Sequence, residues 1–196
     1  KGEANHRQAC RPFAENCGFT LSEASQFVIL FDDELAIEHG ANIYGAVADV
    51  FVNADGFKKS IPGPGIGNYF TVGKAMGTIR SILGEKSLKH RSYMQAHGTS
   101  TPQNRVTESH IFNELAASFG IHKWPIAAIK AYLGHSLACA SADQLVSSLG
   151  VWNEGIIPGI ITSESIANDV HKKHLDFLLQ HREVGIDAMD SALINS

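Results

Sequence analysis

Twice in this chain a short apolar run ends in a polar side chain and then enters a glycine-containing turn. Tyr93-Met94-Gln95-Ala96 delivers His97 into Gly98-Thr99-Ser100-Thr101-Pro102, and Ile126-Ala127-Ala128-Ile129 delivers Lys130 into Ala131-Tyr132-Leu133-Gly134-His135. Runs of this length are too short for helices and suit buried strands, each followed by a helical pattern. In a sheet built from such units the C-terminal strand ends collect functional groups. Side chains converge there, and helix N-termini turn their positive ends to the same space.

The rest of the chain fits around these two units. Residues 26–31, Gln-Phe-Val-Ile-Leu-Phe, suit a buried strand, and Ile43 through Val52 a second one. Between them, Asp32-Asp33 read as a helix start, Glu34 to His39 as a short helix and Gly40 as its stop. Residues 60–67, rich in proline and glycine, read as a loop. Helical spacing recurs over Tyr69–Leu83, with Phe70, Val72, Met76, Ile79 and Leu83 on the apolar side, and over Val106–Phe119. Ser92–Ala96 and Ile126–Ile129 are strands, Lys130–His135 a loop, and Ser136–Trp152 a helix of small residues. Strands are expected at Ile156–Ile161 and Ala192–Ile194, and helical spacing with a basic, histidine-rich face at Asp169–Arg182. The alternation predicts an α/β sheet covered by helices in one domain.

Composition excludes several classes. With 44% apolar residues over 196 positions the chain can bury a sizeable core, and its formal charge of −4 lacks the basic face of a nucleic-acid binder. No apolar stretch reaches the roughly 20 residues of a membrane helix, and Lys1-Gly2-Glu3 reads as the middle of a longer protein, without a leader. Three cysteines, Cys10, Cys17 and Cys139, have no metal-ligand spacing, which argues against a structural metal and for a reducing cytosol.

His135 stands just before a helix of small residues. An imidazole at a helix N-terminus is biased to its neutral form, and its ring N–H can donate to a developing oxyanion; the plainer alternative is a capping histidine. Taken together, Arg11-Pro12-Phe13 with Gly18-Phe19, then Gln95-Ala96-His97-Gly98-Thr99-Ser100-Thr101-Pro102, then Lys130 with Gly134-His135, resemble the C-terminal half of the β-ketoacyl-acyl-carrier-protein synthases. The resemblance runs in order over nearly the whole chain. It implies the thiolase-like fold, a mixed β-sheet covered by α-helices, with residues 1–196 forming the C-terminal domain and the nucleophilic cysteine lying in an N-terminal half outside this chain.

The resemblance further implies decarboxylative condensation of malonyl carried on acyl carrier protein with an acyl-enzyme thioester, in fatty-acid or polyketide biosynthesis. His97 and His135 would bond the malonyl thioester carbonyl as it gains enolate charge. Lys130 would hold a positive field with Glu108 as its carboxylate partner, and Thr99 and Thr101 would bond the pantetheine arm. No metal or separate cofactor is implied, since the substrates ride on the phosphopantetheine of the carrier. The implied partners are acyl carrier protein, the N-terminal half, and a second synthase subunit in a homodimer or heterodimer, in the cytoplasm; alone, the chain should not condense.

Some positions depart from the family pattern. Leu21-Ser22-Glu23-Ala24-Ser25 replaces a glycine-rich stretch, Ser141 replaces a glycine, Arg105 replaces an acid and Gln144 a glutamate, while the three cysteines read as structural. Leu193-Ile194-Asn195-Ser196 resembles the strand leading to the family's Phe-Gly-Phe-Gly-Gly turn. A partner subunit of the chain-length-factor kind is the alternative reading, and the retained His97, His135 and Lys130 speak against it. Thiolases and initiating synthases share the fold but use a second cysteine or an asparagine in place of one histidine.

Overall fold

In the computed structural model, which describes residues 5, 9–15, 18–55 and 65–196, the first regular element is the helix α1, Asp33–Glu38. The Asp32 carboxylate accepts from the backbone N–H groups of Glu34 at 3.1 Å and Leu35 at 3.4 Å, so the acid expected to start the helix is its N-cap. Gly40 follows as the stop. The helices α2, Ile66–Leu83, and α3, Glu85–His90, lead into the strand β1, Ser92–Gln95. Next come α4, Pro102–Ser118, β2, Trp124–Ala127, α5, Lys130–Leu133, a single 3-10 turn at Leu137–Cys139, and α6, Ala140–Glu154. The short strands β3, Ile156–Ile157, β4, Leu175–Phe177, β5, Arg182–Glu183, and β6, Ser191–Ile194, complete the order.

Four strands form a parallel sheet in the order β4-β2-β1-β6, with Met94 opposite both Ile126 and Leu193. Among the described residues, antiparallel pairing is confined to a separate ribbon of β3 and β5. The two-residue period of a strand divides the core. Met94, Ala96, Ile126 and Ala128 face Val72, Met76 and Ile79 of α2 and Ile111, Phe112 and Leu115 of α4. Tyr93 and Ala127 face the other way, toward Val151 of α6, Ile157 and Leu178. With helices on both faces, the strand ends are the surface left open for a site.

The structure corrects several expectations. Residues 26–31 and Ile43–Val52 are not strands, and neither segment pairs with a strand among the described residues. A strand needs a neighbour for its backbone N–H and C=O groups, and without one the apolar pattern stays extended and open to solvent. Phe27 is 94% exposed, Ile29 81% and Leu30 76%. Asp169–Arg182 is not a helix: β4 pairs with β2 inside that span, and the backbone N–H groups of His171 and His174 donate to Ser109 Oγ and Asn113 Oδ1. Ile156–Ile161 pairs only as far as Ile157, because Pro158 has no N–H for the ladder. Lys130–Leu133, expected to be loop, is the short helix α5. In α2 the buried stripe is Val72, Met76 and Ile79, with Phe70 and Leu83 exposed. Of the proline-glycine loop at 60–67, residues 60–64 lie outside the described residues, while Ile66 and Gly67 open α2.

An apolar surface of this extent drives association. The chain in isolation is expected to self-associate at micromolar concentration in sedimentation velocity; a clean monomer would show that the exposed apolar residues are covered in some other way.

Candidate functional site

β1 ends at Gln95, and the next turn carries His97 to the C-terminal edge of the sheet. Gly98 has a φ of 52°, and a Cβ there would come within 2.7 Å of the Ala128 Cβ, so only glycine lets this turn pass so close to the end of β2. The turn is clamped from α4. The completely buried carboxylate of Glu108 accepts from the backbone N–H of His97 at 2.6 Å and of Gly98 at 2.9 Å. It also accepts from Asn104 Nδ2 and Asn195 Nδ2, each at 2.8 Å. Burial pushes this carboxyl up from the usual glutamate range, against the pull of its donors. All four neighbours are placed as donors, which favours the carboxylate form against the cost of burial.

Lys130 opens α5 and is 2% exposed. Its Nζ lies 3.3 Å from His97 Nδ1. An ammonium only donates, so Nδ1 is the acceptor and the neutral ring carries its proton on Nε2. Burial, then the positive field of Lys130, push the His97 pKa down to about 3, and the adjacent His135 ring disfavours a second charge there. Burial also lowers the Lys130 pKa, while the negative fields of Glu108 and Asp143 hold it up.

His135 is fixed by a different set of bonds. Its backbone N–H donates to Thr20 O at 2.7 Å and its carbonyl accepts from Ser22 N at 3.1 Å. Its Nδ1 accepts from the backbone N–H of Leu137 at 3.1 Å, which again leaves the ring proton on Nε2. Burial, then Lys130, lowers its pKa. The two imidazoles stand edge to face, with centroids 5.0 Å apart at 86°. Both line one cavity of about 250 Å³, together with Phe19, Thr99, Thr101 and Thr107. Two neutral rings whose Nδ1 atoms are both occupied each keep an Nε2–H donor, and both rings line that cavity. This suits an oxygen that gains negative charge during a reaction. A larger hollow of about 730 Å³, bordered by Ile129, Leu133, Val146 and Ile156, includes neither histidine.

The six residues expected at the site, His97, His135, Lys130, Glu108, Thr99 and Thr101, converge on this strand edge. Two expectations change in form. Glu108 is not in a direct ion pair with Lys130: its oxygens are taken by four other donors, the ammonium bonds His97, and the carboxylate reaches Lys130 only through its field. His135 does not sit at the start of α6, because the 3-10 turn Leu137–Cys139 intervenes, and burial and Lys130 keep its ring neutral.

Thr101 serves twice, as N-cap of α4, accepting from Asn104 N at 3.4 Å, and as cavity wall, with its Oγ1 3.0 Å from Thr99 Oγ1. Cys10 Sγ lies 3.1 Å from Ser100 Oγ and Cys139 Sγ donates to Ala24 O at 3.1 Å, while Cys17 lies outside the described residues.

Sequence reasoning missed Asn104 and Asn195. Asn104 lies four residues before Glu108 on one helix face, a spacing that could have flagged it; Asn195, 87 residues from Glu108, gives no local signal. Gln144, noted only as a replaced glutamate, donates from Nε2 to Gln95 O at 3.1 Å, Ala96 O at 2.9 Å and Asn195 O at 2.8 Å, tying the ends of β1 and β6 together.

With this geometry in hand, similarity to known proteins is specific. The model of the β-ketoacyl synthase C-terminal domain matches residues 44–164. The sequence is 54% identical over 197 residues to the β-ketoacyl-[acyl-carrier-protein] synthase FabY of Pseudomonas aeruginosa, covering all of this chain and 31% of that protein. It is 32% identical over 165 residues to 3-oxoacyl-[acyl-carrier-protein] synthase 2 of Synechocystis sp., covering 80% of this chain and 37% of the relative. The crystal structure of the P. aeruginosa ketosynthase FabY superposes with a TM-score of 0.95 at 53% identity, over all of this chain and 30% of that one. A type II polyketide ketosynthase, solved with its acyl-carrier protein, shares the fold at a TM-score of 0.83 and 24% identity, over 99% of this chain and 45% of that one. The chain spans about a third of the length of these curated relatives, 31% and 37%.

Proposed function

The chain belongs to the β-ketoacyl synthase C-terminal domain family, and on that premise we propose that it supplies the decarboxylating half of a condensing site in a longer protein. The observation that carries the reading is that His97 and His135, each with its Nδ1 engaged and its proton thereby left to Nε2, line one cavity. A malonyl thioester with its carbonyl oxygen between them loses carbon dioxide as the C–C bond to the carboxylate breaks. The electron pair passes into an enolate whose oxygen both imidazoles stabilise. The α-carbon then attacks an acyl thioester on a cysteine outside this chain, giving a 3-oxoacyl product and releasing the cysteine thiolate.

Lys130 holds the His97 tautomer and a positive field, Glu108 holds the His97-Gly98 backbone, and Thr99 and Thr101 bond the pantetheine arm that carries the substrate. In this reading the substrate arrives on acyl carrier protein, no separate cofactor or metal takes part, and an N-terminal half covers the exposed apolar face around Phe27 and Ile29. The working protein is a dimer in the cytoplasm. Among the described residues no helix is long and apolar enough to cross a membrane.

The test is a condensation assay on the full-length protein and on the 196-residue chain, with malonyl and acyl thioesters of acyl carrier protein. The full-length protein is expected to form 3-oxoacyl product and the chain alone none. A full-length protein that releases no carbon dioxide from malonyl thioester, or a chain that condenses without its other half, contradicts the reading.

A further inference from the structure

We propose that Asp143 is a positioning residue for His135, acting through the Ser136 hydroxyl and the strap of chain from Thr20 to Gln26; the inference rests on the reading of His135 as an oxyanion donor. Asp143 lies in the first turn of α6, eight residues beyond His135, and is 6% exposed. Its two oxygens are both engaged, Oδ2 by the Ser136 hydroxyl and Oδ1 by the Gln26 side-chain amide. A buried carboxylate held this way is part of a built structure, not a solvated helix-start acid.

The strap meets the His135 turn at every second residue. Thr20 O accepts the His135 N–H at 2.7 Å, and Ser22 N donates to His135 O at 3.1 Å. Ala24 O accepts from Cys139 Sγ at 3.1 Å, and Gln26 closes the series on Asp143. A period of two is that of extended chain, so one edge of residues 20–26 clasps the whole span from His135 to Asp143.

The clasped turn is tight, and one non-glycine residue in it is strained. Gly134 has a φ of 75°, and a Cβ there would meet Thr20 O at 2.8 Å. Leu137, a branched residue, is held at a φ of 58°. Such a conformation persists only where the surroundings over-determine it. Leu137 is also the residue whose N–H fixes His135 Nδ1, so the strained residue sets the ring's tautomer and direction. Asp143, bonded to Ser136 on one side and to the strap on the other, closes the clasp around it. The site then has one buried carboxylate behind each histidine: Glu108 holds the His97 backbone and Asp143 the His135 turn.

The experiment uses the full-length protein that carries this chain, with malonyl decarboxylation as the assay, the variants Asp143→Ala and Ser136→Ala, and ring-nitrogen NMR of the histidines. Wild-type protein without decarboxylation would overturn the functional reading and this inference with it; active wild type leaves the variants to decide the inference alone. Asp143→Ala is expected to lower kcat about 10- to 100-fold, the cost of a misplaced group, with KM within about threefold of wild type. The His135 ring should lose its fixed Nε2–H form, a larger change than any at His97. Ser136→Ala, which removes one hydroxyl, should move kcat and the His135 signal the same way by less, and it decides the matter should Asp143→Ala fail to fold. Unchanged kcat with an unchanged His135 ring in the folded variants would overturn the proposal.

Discussion

Replacing His97 by alanine in the full-length protein is expected to lower malonyl decarboxylation about 100-fold or more, as loss of an oxyanion donor does. The ring is one of two imidazoles that line the cavity, and its neighbours cannot substitute, because Lys130 is bound to its Nδ1 and His135 supplies the other donor. Carbon dioxide release from malonyl thioester measures the effect directly; an unchanged rate would remove His97 from the mechanism. A second consequence concerns pH. The His97 pKa falls from 6.5 in the unfolded chain to about 3 in the fold, so between those values the unfolded state binds more protons. Stability from this site is complete above about pH 6.5 and is lost as the pH falls toward the folded value. His97→Ala should therefore flatten the acid limb of stability, as read by denaturant titrations across that window, whereas an unaltered limb would mean that the ring is not held neutral.

Glu108→Ala should have the largest effect on stability. It strands two backbone N–H groups and two asparagine amides, the Gly98 and Asn195 donors fully buried and the His97 and Asn104 donors partly so. At about 1–3 kcal/mol for each unsatisfied buried donor, the two fully buried bonds alone cost at least about 2 kcal/mol, a sizeable part of the roughly 5–15 kcal/mol that holds a domain together. The variant should be poorly folded, or should melt far below wild type in a calorimetric scan. Glu108→Gln, which keeps one acceptor oxygen and adds an amide that must face donors, should fall between the two. A Glu108→Ala protein that melts with wild type would mean that solvent replaces the carboxylate, and the clamp on the His97 turn would lose its basis.

These expectations draw on features that were legible in the sequence to different degrees. The two strand-turn units could be read because each is complete within about ten residues, its apolar run, glycine and polar end being local. Helix α4 and the Asp32 cap of α1 were legible for the same reason. Residues 26–31 and Ile43–Val52 misled because their pattern is that of strands, while strand pairing depends on neighbours that no local pattern supplies. At Asp169–Arg182 helical spacing lost to the open edge of β2, where Leu175 and Phe177 find both a ladder and a core. Of the site, the histidines and Lys130 came from motifs. The bond from Lys130 to His97, the donors around Glu108 and the strap on Asp143 did not, because they join positions 33, 87 and 117 residues apart. The form of the Glu108 partnership was missed on the same ground: an acid near a lysine suggests an ion pair, and only the fold reveals the backbone N–H groups that reach it first.

The measurement that bears most directly on the account is a long-range proton-nitrogen NMR spectrum of the histidine rings in the full-length protein, followed from neutral pH into acid. The account predicts that His97 and His135 are both neutral with the proton on Nε2 at pH 7, about the unperturbed histidine range, and that His97 holds that form far below the pH at which exposed histidines titrate. A ring carrying its proton on Nδ1, or an imidazolium at neutral pH, would contradict it, because the donor pair at the cavity would not exist.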